Sequence, residues 1–211
     1  AFKGEEVDRA PFWPREGFPS QGGPAEADDF RNGWQSEPLY RDLYEYLKPH
    51  ADYFAGFGVP CQNRLLMIPS SVMEHETILD TPERKQHRTV IHTPKGDLED
   101  IRELRHWQAT GWHIREAVRS PEELEMLASV PFELDEEAIE NGKRDFLKQR
   151  ENLGDTYMLK GGISSPMVCI SGAMPLEMSL EMSFTHKDRF LQLCEEITQR
   201  YLAVLEAFFT D

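Results

Sequence analysis

The chain has 211 residues, 39% of them hydrophobic, and a formal net charge of -15 from 38 acidic and 23 basic residues. That length supports one domain with a sizeable core, and that charge opposes binding to nucleic acid or anionic lipid through long-range repulsion. No apolar run approaches the ~20 residues that span a bilayer, no signal-type segment is present, and Cys61, Cys169 and Cys194 form neither a disulfide framework nor a C-x-x-C pair, so a cytoplasmic protein with reduced thiols is expected.

In chain order, the first residues read as the end of a helix stopping at Gly4, and Ala10 to Trp13 as a brief apolar strand stopped by Pro14. From Gly17 to Asn32 the composition is that of a long loop. Leu39, Leu43, Tyr46 and Leu47 recur at helical spacing, which predicts a helix from Pro38 to about Tyr53, ended by Gly56 and Gly58. Thr77–Asp80 and Arg88–Thr93 flank a polar turn and predict an antiparallel hairpin, with a further strand at Gly111–Ile114; together they form a β excursion over about residues 75–118.

Ser120-Pro-Glu-Glu123 is a helix start with serine at the N-cap, proline at N1 and glutamate at N3 to complete a capping box. A helix from Asp135 to Leu153 follows, with Ala138, Ile139, Phe146 and Leu147 as its buried stripe and Gly154 at its end. Then Tyr157 to Met167 reads as a strand breaking into glycines, serines and a proline. The last helix is capped at Thr185–Asp188 and buries Phe190, Cys194, Ile197, Tyr201, Leu205 and Phe208.

The Tyr157–Met167 stretch reads as one strand-to-helix unit of a parallel barrel, a fold that keeps its chemistry in the loops after its strands. Glycines there permit close backbone approach, Ser164 and Ser165 supply hydroxyls, and Pro166 suits a first helical turn. The serines either contact substrate or satisfy the turn's own backbone. Met167, Met174, Met178 and Met182 form a soft stripe that lines an apolar pocket or fills core. At the end of the first strand, Arg15 either clamps a carboxylate or pairs with Glu16 or Asp8, and Trp13 either walls a ligand or packs in the core. Cys169, just inside a helix, is either a thiol with a pKa lowered by the dipole or a buried structural one.

The opening Lys3-Gly-Glu-Glu-Val-Asp-Arg-Ala-Pro-Phe-Trp13 resembles that of the uroporphyrinogen decarboxylase superfamily, which includes cobalamin-dependent methyltransferases. His92-Thr-Pro-Lys-Gly-Asp97, Val118-Arg-Ser-Pro-Glu-Glu-Leu124, the Gly-Gly-Ile-Ser-Ser-Pro turn and Phe190-Leu-Gln-Leu-Cys-Glu-Glu-Ile-Thr198 follow in a similar order. The resemblance implies a TIM-type (β/α)8 barrel, of which residues 1–211 would be an N-terminal portion forming one domain, inactive by itself. Two departures bear on chemistry. Trp13-Pro-Arg-Glu-Gly-Phe18 lacks one of the two arginines that bind porphyrin carboxylates, and Gly172 stands where the decarboxylase has a catalytic tyrosine.

Both departures lead to the methyltransferase side of the superfamily, for which the resemblance implies a zinc, with its ligands beyond Asp211, and a corrinoid. The expected function is corrinoid-linked methyl transfer on a small molecule bound near Trp13, Arg15, Ser164, Ser165 and Met167. Decarboxylation of a small carboxylic acid or porphyrin, and a non-catalytic binding or dimerisation module, are the alternatives. The expected partners are a small-molecule substrate, a corrinoid protein and a second copy of the chain, with no membrane and no nucleic acid.

Overall fold

A computed structural model describes Phe12, residues 23–154 and residues 157–210. Its helices and strands, in order, are α1 (Pro38–Leu47), β1 (Tyr53–Gly58), β2 (Met73–Asp80), β3 (Arg84–Thr93), β4 (Gly96–Arg105), β5 (Gly111–Arg115), α2 (Pro121–Ala128), α3 (Glu136–Leu153), β6 (Tyr157–Gly162), α4 (Pro166–Ser171), α5 (Leu176–Thr185) and α6 (Lys187–Phe209).

The barrel expectation is overturned. The described strands form two sheets, a parallel pair β1–β6 and a four-stranded antiparallel meander β2-β3-β4-β5, and neither closes. After β6 three helices follow in succession, where a barrel would return to a strand. The expectation fails because a glycine-ended strand before a helix is a local signal, whereas repetition of that unit depends on distant pairing partners that local pattern does not encode.

The predicted long helix at Pro38–Tyr53 ends at Leu47, and Gly56 and Gly58 lie inside β1 instead of terminating a helix. Tyr53-Phe-Ala-Gly-Phe-Gly58 becomes a strand because it pairs in register with Tyr157–Gly162, a partner about a hundred residues away. Pairing decides its state more than its glycine content does. The hairpin appears as β2 and β3, and Gly111–Ile114 lies in β5. Between them runs β4, which was not anticipated. Its sequence Gly-Asp-Leu-Glu-Asp-Ile-Arg-Glu-Leu-Arg is charged on both faces, and only cross-strand partners such as Arg88 with Glu99 and Gln86 with Glu103 make it a strand.

α2 begins as expected, with the Ser120 hydroxyl accepting from the Glu123 N–H. Glu123 returns its bond one residue earlier, to the Arg119 N–H. α3 also starts on a side-chain cap, Asp135, and stops at Gly154 with φ 54°. On α3, Ile139 is buried and Phe146 packs on the core, but Leu147 is exposed. The Thr185–Asp188 cap does not form: His186 precedes α6 without a side-chain cap bond, and the Thr185 hydroxyl donates back to Glu181 O. On α6, Phe190, Ile197, Tyr201 and Phe208 are buried as expected and joined by Leu193 and Val204, while Cys194 and Leu205 are only partly buried.

One apolar cluster runs from Val59 through Ile91, Val118, Leu124 and Ile139 to Phe208. It ties the base of the antiparallel sheet to the helices. No helix among the described residues is long and apolar enough to cross a membrane.

Candidate functional site

In open sheets with parallel strands, ligands sit outside the carboxyl ends of the strands. Here β1 ends at Gly58 and β6 at Gly162, and the two ends are tied together: Gln62 Nε2 donates to Gly162 O and to Val59 O, each at 3.1 Å. The register sets Phe57 against Gly161, and a β-carbon on Gly161 would lie 2.4 Å from the Phe57 ring. Glycine at 161 is therefore a packing requirement.

The loop after β1 holds three of the four non-glycine residues with positive φ among the described residues. Cys61, Leu66 and Met67 all hold left-handed backbone, with φ of 60°, 57° and 57°. Each such residue costs on the order of 1–3 kcal/mol, and clusters of them mark ligand clamps and switch regions more often than ordinary loops. Several contacts impose the conformation. Leu66 and Met67 are buried, Asn63 accepts from Leu65 N and donates to Ile68 O at 2.7 Å, and the Arg200 guanidinium donates to Leu66 O. A cavity of about 210 Å³ lies against this loop, lined by Cys61, Gln62, Met67, Phe132 and Asp135 among others.

The loop after β6 is shorter. Ser165 caps α4, its hydroxyl accepting from Val168 N at 3.3 Å. Ser164 contacts the Tyr201 hydroxyl of α6, which also meets Cys169 Sγ at 2.9 Å inside the core. Both predicted serine hydroxyls thus have protein partners, one holding the helix start and one holding the loop to α6. Met167 is half-exposed beside them, while Met174 and Met182 are core. Ser164, Ser165 and Met167 are brought together in one turn, but the loop around Cys61, not this turn, lines the cavity. Trp13 and Arg15 lie outside the described residues.

Burial pushes the thiols of Cys61 and Cys169 up, so both are protonated at neutral pH. Burial likewise raises Tyr201 far above its ordinary value, with the Cys169 contact adding to the effect. The site as built can bind and orient a ligand through amide and backbone groups, and it presents no thiolate. Cys169 is accordingly a structural thiol. Gly172, the position that resembles a decarboxylase tyrosine, is closed to any side chain, because an added β-carbon would lie 2.9 Å from both Arg64 Cβ and Val168 O.

Among the described residues no group of three His, Cys, Asp or Glu side chains is placed to hold a metal ion. Cys61, Cys169 and Cys194 are free thiols, Cys169 buried and the other two half-buried. Sequence reasoning missed Cys61, Gln62 and Asn63. The run Val-Pro-Cys-Gln-Asn directly after an aromatic strand was the available signal, hidden by reading that strand as the end of a helix. The chain matches no protein-family model, no curated protein and no solved structure.

Proposed function

We propose that this chain supplies a small-molecule binding edge to an enzyme similar to the uroporphyrinogen decarboxylase superfamily, acting in corrinoid-linked methyl transfer. The observation that carries the reading is the convergence at one end of β1 and β6. Two glycine-bearing strand ends are bonded through Gln62, and three strained residues and a cavity lie beside them. The order of family-like motifs supplies the superfamily. Gly172, packed against Arg64, supports the choice within it by disfavouring tyrosine-dependent porphyrin decarboxylation.

In this reading Gln62 and Asn63, on the wall of the cavity, position the acceptor or donor, and the buried walls exclude water. A corrinoid, bound as substrate, supplies the methyl group or receives it. The test is made on the intact enzyme with methylcobalamin and a low-molecular-weight thiol. Loss of the methyl–cobalt absorbance with stoichiometric thioether is expected, and Gln62→Ala should lower kcat/KM about tenfold or more while leaving the circular dichroism unchanged. Release of CO2 from a small carboxylic acid, with no demethylation, would overturn the proposal.

A further inference from the structure

Helix α5 carries more apolar surface than the core uses. Its inner side is buried through Ser179 and Met182, with Met178 packed against the core. On a second side Leu176, Leu180 and Phe184 recur one turn apart and are 62%, 46% and 84% exposed. A surface helix ordinarily turns a polar face to water, so an outward apolar stripe marks a surface built for a further contact.

The charges beside the stripe narrow the class of occupant. Glu177 and Glu181 stand along one edge of it, each three residues before an apolar member, Leu180 and Phe184, so they share its surface. Beyond them a cavity of about 380 Å³ opens between α5 and the start of α2, lined by both glutamates with Met178, Met182, Arg119 and His186. Arg119 is paired with Glu123 Oε1 at 2.8 Å, whereas among the described residues the Glu177 and Glu181 carboxylates take part in no hydrogen bond or ion pair. Stripe, unpaired carboxylates and cavity thus lie side by side along one helix. A small apolar molecule would leave the carboxylates uncompensated. A second copy, stripe on stripe, would set the same carboxylates against each other on chains of net charge -15, and an anionic lipid surface would be repelled by them. A basic amphipathic helix meets every demand. Its apolar residues, spaced one turn apart, cover Leu176, Leu180 and Phe184, while a lysine or arginine reaches Glu177 and Glu181 with its methylenes laid on Met178 and Met182.

We infer that the outer face of α5 is the docking site for a basic amphipathic helix of a partner polypeptide, held by the Leu176–Leu180–Phe184 stripe and by ion pairs to Glu177 and Glu181. Phe184 offers a discriminating variant, because at 84% exposure its ring contributes to the outer surface and not to the core. Phe184→Ala therefore strips the docking face without opening a cavity inside the protein.

The test uses the full chain and a fluorescein-labelled helical peptide with leucines along one face and lysines beside them, followed by fluorescence anisotropy. Saturable binding is expected, weakened about tenfold or more by Phe184→Ala and about threefold or more by Glu177→Gln combined with Glu181→Gln, both at unchanged circular dichroism and Tm. The double variant should also lose affinity less steeply as salt is raised. Four results overturn the inference: no saturable binding, binding that neither variant weakens, equal binding of a peptide of the same composition with its leucines scattered around the helix, or concentration-dependent dimerisation abolished by Phe184→Ala without peptide binding, which would assign the stripe to a second copy.

Discussion

Tyr201 shows how one buried hydroxyl organises the neighbourhood of the β6 loop. It lies 3% exposed on α6, within 2.9 Å of Cys169 Sγ and in contact with Ser164, so it holds the loop after β6 against the helix that follows. Tyr201→Phe keeps the ring's packing and removes those bonds, leaving Cys169 and Ser164 to find new partners in a dry site. A loss of about 1–2 kcal/mol is expected, read from urea denaturation, with Cys169 becoming faster to react with a thiol reagent. At this scale the residue types were legible in advance: a core cysteine, a buried tyrosine face and serines at a turn. Their mutual contact was not, since 32 residues separate Cys169 from Tyr201 and only the packing of α4 on α6 joins them.

Among the elements, the antiparallel sheet is laced by charge pairs across its strands, while Ile91 and Leu98 join it to the core. Arg88 bridges Glu76 and Glu99, and buried Glu103 takes bonds from Gln86 and Arg105, which hold its carboxyl below the usual range. On β3, His92 reaches Asp97 at 2.9 Å and Glu74 at 3.3 Å, joining three strands. The hydrogen bond to Asp97, and then that to Glu74, raises the His92 pKa. A group with a raised folded-state pKa stabilises fully below its unfolded value of about 6.5, and that stabilisation is lost as pH rises through the folded value. The Tm difference between the wild type and His92→Gln should therefore be larger at pH 5.5 than at pH 8.5; the opposite order would contradict the pairing. The hairpin of β2 and β3 and the capped starts of α2 and α3 were readable because turns and caps are local chemistry. β1 and β4 were not, because a glycine-rich segment and a charged one become strands only beside their partners.

For the molecule as a whole, the segment before α1 is clasped to the far end of the sheet. Trp107 N donates to Phe30 O, the Arg31 guanidinium reaches Ala109 O, and Lys85 sits over the Phe30 ring at 5.0 Å. Gly33 makes the close approach, since a β-carbon there would lie 2.3 Å from Trp107 Nε1 and 2.7 Å from Ala27 O. Gly33→Ala should release this clasp, seen as a red-shifted tryptophan emission and a lowered Tm, whereas an unchanged spectrum would count against the contact. The acidic charge is also unevenly placed: residues 73–115 hold 8 acidic and 7 basic residues of the 38 and 23 in the chain, so the repulsion of polyanions comes from outside the sheet. Composition, caps, turns and the apolar faces of α3 and α6 could be read from the residues alone, because each depends on neighbours within a few positions. Which strands pair, that they make two open sheets and no barrel, and that Gln62, in the loop with strained Cys61, Leu66 and Met67, meets the end of β6 were decided by tertiary structure. Those features depend on contacts between residues far apart in sequence, and loop closure and packing select such contacts with no local signature.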